Sequence, residues 1–145
     1  MTYRIVVGVD GSQFSEAALR WALEDAEARG GEVIAIYSWQ VPFVSMPGAF
    51  DRGELEQAGK DFIIQAVSAV APAPKVPLHT LVAEGDPAEC LIVASRDAEL
   101  LVVGTRGRSP FAGLLLGSVS QRCAAAATCP VVLVRPAGAP QYSPS

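Results

Sequence analysis

The sequence predicts an α/β protein: one domain with an open, parallel five-stranded sheet in the order 3-2-1-4-5, helices on both faces, Rossmann-like in plan. Three observations predict it. Short apolar runs alternate along the chain with segments of helical periodicity, at the spacing of βαβ units. The runs YRIVVGV (Tyr3–Val9) and LLVV (Leu100–Val103) are almost continuously apolar, as strands covered on both faces are. The 145 residues, 50% of them hydrophobic, hold enough core for one domain.

The elements follow in order. The first strand, Tyr3–Val9, is broken by Asp10-Gly11-Ser12, where Ser12 is placed to cap a helix. Phe14, Ala18, Trp21, Ala22 and Ala26 share one face of that helix, and Gly30-Gly31 ends it. Its acidic run, Glu24-Asp25-Glu27, reads as a solvated face, and the Trp21 side as core. Glu32–Trp39 reads as the second strand. From Val41 to Gly53 two prolines and glycines mark a surface loop. Leu55, Ala58, Phe62, Ile63, Ala66, Val67 and Val70 then form a helical stripe, closed by the breaker APAPKVP. Leu78–Val82 is a third, partly exposed strand. Asp86-Pro87-Ala88-Glu89 supplies a cap, a proline at the first helical position and Glu at the third, a strong helix start. Leu100–Val103 and Pro130–Arg135 are the last two strands, with a helix opening at Ser118 between them. The domain covers residues 1–136; the small, polar, proline-bearing remainder, 137–145, reads as a disordered tail.

In such a sheet the ligand crevice lies beyond the carboxyl ends of the strands, where the strand order reverses. In the order 3-2-1-4-5 that point falls between the first and fourth strands, whose ends are marked by Asp10 and Gly104. The stretch GTRGRSPFAGLLLGS (Gly104–Ser118) leaves the fourth strand there. Its glycines Gly104, Gly107 and Gly117 are spaced G-x2-G-x9-G and followed by Ser118. Gly104 permits positive φ and close approach of backbone to a ligand. Gly107 allows successive N–H groups to converge on an anion. Gly117 stands before the last helix, whose free N–H groups and dipole favour phosphate. Ser118 and Ser120 carry hydroxyl donors, and Arg106 and Arg108 reverse the local sign of charge, suited either to phosphate contact or to plain solvation. Ser118-Val119-Ser120-Gln121 also fits a capping box, a purely local role for the Ser118 hydroxyl. Asp10 has two compatible uses, as turn residue and as partner of a ribose hydroxyl or of a phosphate-bound Mg²⁺.

Other chemistries are disfavoured. The loop lacks the GK[ST] of a P-loop, and the first strand ends in GVDGS, not GxGxxG. His79, the single histidine, falls on a strand near the sheet edge, away from any Ser-His-Asp arrangement. No His/Cys cluster has metal-ligand spacing. The three cysteines, Cys90, Cys123 and Cys129, form no CxxC pair and read as reduced thiols in a cytosolic protein. A formal charge of −4 and a pI near 4.9 disfavour bulk binding to nucleic acid. No apolar run is long enough for a membrane span, and the N-terminus lacks the pattern of a signal peptide, so the expected location is cytoplasmic.

On IVVGVDGS, EGDPAECLIVASRDAELLVVGTRGRSPFAGLLLGSVS and CPVVLVR, the sequence resembles the universal stress proteins from Tyr3 to Arg135, and in particular their ATP-binding subgroup. That subgroup carries G-x2-G-x9-G-[ST], met here by Gly104, Gly107, Gly117 and Ser118. The resemblance implies that Gly8, Val9 and Asp10 lie by the adenosine, with Asp10 toward Mg²⁺. It implies that Gly104, Arg106, Gly107, Arg108, Gly117, Ser118, Val119 and Ser120 hold the phosphates of ATP. It puts the adenine wall near Tyr37 or Ser38. One departure is that Ser109-Pro110 stand where related loops often have glycines; proline stiffens the loop and removes a donor.

The expected function is ATP binding in stress response or signalling, with slow hydrolysis or none, since no convincing base for phosphoryl transfer is evident. Two alternatives stand beside it: a nucleotide-independent dimeric adaptor whose loop is only a turn, and an enzyme of adenylyl chemistry. The apolar edge strand Val131–Arg135 predicts a homodimer, and a signalling partner is expected without the sequence naming it.

Overall fold

The computed structural model describes residues 2–41, 48, 51–108 and 115–137. Five strands and four helices succeed one another: β1 (Arg4–Gly8), α1 (Gln13–Arg29), β2 (Glu32–Trp39), α2 (Arg52–Val70), β3 (Leu78–Glu84), α3 (Pro87–Ala94), β4 (Leu100–Gly104), α4 (Ser118–Ala126) and β5 (Val131–Val134). One turn of 3₁₀-helix, Ser95–Asp97, follows α3. The sheet is parallel throughout, in the order β3-β2-β1-β4-β5, as predicted.

Alternation along the strands divides the core in two. On β1, Ile5 and Val7 join Leu19, Ala22, Ile63 and Val67 of α1 and α2 on one face. Val6 joins Leu91 of α3 and Cys123 of α4 on the other, together with Leu101 and Val103. Burial on both sides explains why β1 and β4 read as almost continuously apolar runs.

The helix boundaries obey local chemistry. The Ser12 hydroxyl accepts from Ser15 N at the start of α1, and Gly30, at φ 64°, ends it. Asp86 accepts from Glu89 N at the start of α3. β3 runs two residues beyond the Val82 expected from sequence, because Ala83 and Glu84 remain in register with Ser38 and Trp39. Sequence hydrophobicity fades there, but the ladder does not.

Gly8 and Gly104 close neighbouring strands, so the reversal of strand order brings Asp10 and the glycine-rich loop to one end of the sheet. His79 sits on the edge strand β3, 59% exposed, with Nε2 3.4 Å from Glu32 Oε2, in register with Ile34 near the opposite end of β2. Among the described residues no helix is long and apolar enough to cross a membrane. The expected disordered tail falls, beyond Ala137, outside the described residues. So does most of the loop expected between Val41 and Gly53, and so do Ser109 and Pro110.

Candidate functional site

The turn after β1 is organised by Asp10. Its backbone N–H donates to Ser15 Oγ at 3.2 Å, and its Oδ1 accepts from Ser12 N at 2.9 Å. One carboxylate oxygen is thus fastened to the turn, an arrangement typical of Asp before a helix. The other, Oδ2, faces Gly107: a β-carbon at Gly107 would stand 2.7 Å from it.

The glycine-rich loop is tied at its two ends to one atom. The buried Thr105 carbonyl oxygen accepts from Gly117 N at 2.7 Å and from Ser120 Oγ at 2.8 Å. These bonds bring Gly117 beside Arg106 and Gly107, although nine residues separate Gly107 from Gly117. Gly117 is the N-cap of α4, and its carbonyl accepts from Gln121 N at 3.0 Å. The N–H groups of Ser118, Val119 and Ser120 precede the first acceptor in the helix, so the helix leaves them unpaired. No side chain caps them. They stand at the positive end of the helix dipole, and their residues line the same crevice as the loop glycines.

Three expectations are corrected by this geometry. The capping box does not form: Ser118 lies one position inside the helix, and Gln121 Nε2 donates to Leu116 O at 3.0 Å. Positive φ is not what Gly104, Gly107 and Gly117 supply, for among the described residues the glycines with that geometry are Gly11, Gly30, Gly48 and Gly85. Close packing is what Gly104 and Gly107 supply: a β-carbon on Gly104 would lie 2.8 Å from the backbone C and O of Phe14, and one on Gly107 2.7 Å from Asp10 Oδ2. The Ser120 hydroxyl, expected to donate to phosphate, turns inward: its single proton serves the carbonyl of Thr105 or, at 2.9 Å, that of Gly117.

The crevice between these pieces has a volume of about 420 Å³. All the residues expected at the site line it: Gly8, Val9, Asp10, Ser38, Gly104, Arg106, Gly107, Arg108, Gly117, Ser118, Val119 and Ser120. Tyr37 lines it too. Its lining joins basic and N–H-bearing residues, Arg106, Arg108 and the start of α4, to the apolar side chains of Ile36, Leu91 and Val103. That combination suits an anionic chain joined to a flat, largely apolar ring.

Sequence reasoning missed Pro87 and Leu91 of α3. The available signal was the apolar face of that helix, but its alignment with Gly8 depends on packing. A β-carbon on Gly8 would stand 2.8 Å from Leu91 Cδ1, so Gly8 lets α3 close over the strand end.

Among the described residues, no group of three or more His, Cys, Asp or Glu gathers to hold a metal. All three cysteines are free; Cys123 is buried among apolar neighbours, and burial pushes its thiol up to about 11. Arg106 and Arg108 belong to the loop and line the crevice, and Arg108 Cζ lies 5.8 Å from the centre of the Phe62 ring.

The universal stress protein family model matches residues 1–135. A universal stress protein of Mycolicibacterium smegmatis is 36% identical over 133 residues, 91% of this chain and 45% of that protein. A second, from Methanocaldococcus jannaschii, is 35% identical over 138 residues, 91% of this chain and 81% of that protein. The chain spans about half the length of the mycobacterial relatives it matches. Among solved structures, universal stress protein UspA from Lactobacillus plantarum is similar with a TM-score of 0.77 at 25% identity, covering 92% of this chain and 97% of that one. The universal stress protein of Archaeoglobus fulgidus, solved in complex with dAMP, shares the fold at a TM-score of 0.67 and 24% identity, covering 90% and 96%. By sequence match over nearly its whole described length and by fold, the chain belongs to the universal stress protein family.

Proposed function

We propose that the crevice binds ATP together with Mg²⁺, and that the protein acts in stress response or signalling through the nucleotide it holds. The observation that carries this reading is the convergence on the Thr105 carbonyl. It brings Gly107, Gly117 and the start of α4 together around a space that Asp10 also faces. Free N–H groups at a helix start, two arginines and glycine surfaces without side chains suit a polyphosphate. The apolar wall at Ile36, Leu91 and Val103, beside Tyr37 and Ser38, suits the base. The Archaeoglobus relative was solved with an adenine nucleotide, which supports the ligand class.

Asp10 fits the cation. Its Oδ1 is held by Ser12 N while Oδ2 is turned to the loop, so one carboxylate oxygen is available beside the phosphate position. Mg²⁺ is usually bound by one or two carboxylates plus substrate phosphates. The ion would neutralise the phosphate chain; the protein's part is to orient that chain with Gly107, Gly117 and the Ser118 and Val119 N–H groups. With Asp10 so occupied, no second carboxylate and no histidine among the described residues lines the crevice to activate water, and hydrolysis is slow or absent.

The protein is further proposed to be a cytoplasmic homodimer paired through β5. Val131, Val132, Leu133 and Val134 leave partly covered side chains on both faces of an edge strand. Denaturing the purified protein and identifying released small molecules by chromatography and mass tests the main reading. An adenine nucleotide is expected. If none is released, and added ATP with Mg²⁺ also fails to bind, the nucleotide reading falls and the adaptor reading takes its place.

A further inference from the structure

Helix α2 contributes nothing to the crevice lining, yet one of its side chains touches three parts of the site. The Phe62 ring lies against Gly11, where a β-carbon would stand 2.7 Å from Cζ. Its centre is 4.6 Å from that of Tyr37, which lines the crevice, with the rings tilted at 41°. The Arg108 guanidinium carbon is 5.8 Å from the Phe62 ring centre, inside the range of a cation–π contact. Gly11 has φ 83°, so the turn that carries Asp10 requires glycine both for its backbone and for the room it leaves the ring.

We infer that Phe62 is a positioning residue for the phosphate end of the crevice, holding the Arg108 guanidinium ready for an anionic phosphate chain. The inference rests on the nucleotide reading above. An arginine side chain has several freely rotating bonds, and fixing it against a ligand opposes binding. A ring already held by Tyr37 and Gly11 bears part of that ordering before the ligand arrives. The contact uses the cation's attraction to the ring face, so the guanidinium N–H groups remain available to phosphate oxygens. Phe62 also links α2 to a loop that lies 46 positions further along the chain.

The test compares ATP with adenosine, which lacks the phosphate chain, by calorimetry in the presence of Mg²⁺. Phe62→Leu is expected to weaken ATP binding about five- to tenfold, and adenosine binding by less than about twofold. Arg108→Gln is expected to show a similar loss for ATP, and the double variant no further loss beyond the larger single effect. Phe62→Met, closer to the ring in reach, replaces the leucine variant if that one does not fold. Equal losses for ATP and adenosine would make the ring a wall of the pocket only and overturn the inference. So would unchanged ATP affinity, or independent, multiplying losses in the double variant. Wild-type protein that binds adenosine but gains nothing from the phosphates would overturn it as well. Wild-type protein that binds neither ligand would remove the nucleotide reading and the inference together.

Discussion

The Oδ2 atom of Asp10 stands 2.7 Å from the position a β-carbon would take on Gly107. These residues follow the ends of two neighbouring strands, β1 and β4, and are 97 positions apart in the chain. Their contact joins a carboxylate suited to a cation with a backbone suited to an anion. Gly107→Ala must displace that carboxylate, whose other oxygen is held by Ser12 N. We predict about tenfold weaker binding of ATP with Mg²⁺ and a shift in thermal midpoint of less than about 3 °C, because the displaced group is a side-chain end. Calorimetric titration and a melting curve of the same sample read both quantities.

Gly104→Ala should behave in the opposite way. Its new β-carbon would meet the backbone of Phe14 at 2.8 Å, and backbone in the first turn of α1 cannot move alone. A loss of about 1–3 kcal/mol in folding stability is expected, in the range of other overpacked sites. Urea unfolding would show it as a lowered midpoint at an unchanged slope.

Gly117 tolerates a β-carbon, whose nearest neighbours would be Arg106 Cα at 3.4 Å and Gly107 N at 3.7 Å. Its φ of −79° is open to any residue. Gly117→Val therefore leaves the fold intact, with a stability loss of about 1 kcal/mol from a poorer N-cap. Its branches narrow the space beside the phosphate position, and ATP affinity should fall by more than about tenfold. Unchanged affinity in the folded variant would argue against phosphate at the start of α4.

Burial holds the Cys123 thiol up at about 11, against an ordinary 9.0. On raising the pH, the unfolded chain releases this proton first, so the unfolded state gains and the fold loses stability between pH 9 and about 11. Cys123→Ala should flatten the fall in stability over that interval, measured by urea midpoints at successive pH values. An equally steep fall in the variant would assign the effect to other groups.

Val132→Lys tests the edge strand. Val132 pairs with Val102 across the β4–β5 ladder and packs on the α1 face of the sheet. Sedimentation should show a dimeric wild type and a monomeric lysine variant, whose charge sets two copies against each other. A monomeric wild type at micromolar concentration would contradict pairing through β5.

Much of this architecture was legible because its signals are local. Ser12, Gly30 and Asp86 mark helix ends through hydrogen bonds made within a few residues, and double-sided burial leaves the centre of β1 and all of β4 without a polar side chain. The loop spacing located the crevice because strand order alone brings Asp10 to Gly104. The roles of individual groups were less legible. Ser120 turns inward because the Thr105 carbonyl is there, and Gly104 is glycine because Phe14 is there. Neither neighbour is announced by spacing. Leu91 and Phe62 enter the site region through helix packing, which periodicity describes as core and no more.

The most direct measurement is a calorimetric titration of nucleotide-free protein with ATP and Mg²⁺, set beside Gly107→Ala and Gly104→Ala under the same conditions. Saturable binding of one nucleotide per chain is expected of the wild type. Gly107→Ala should bind more weakly while melting almost as wild type, and Gly104→Ala should be the less stable of the two. No heat of binding in folded wild-type protein, or equal affinity in wild type and Gly107→Ala, would contradict these expectations.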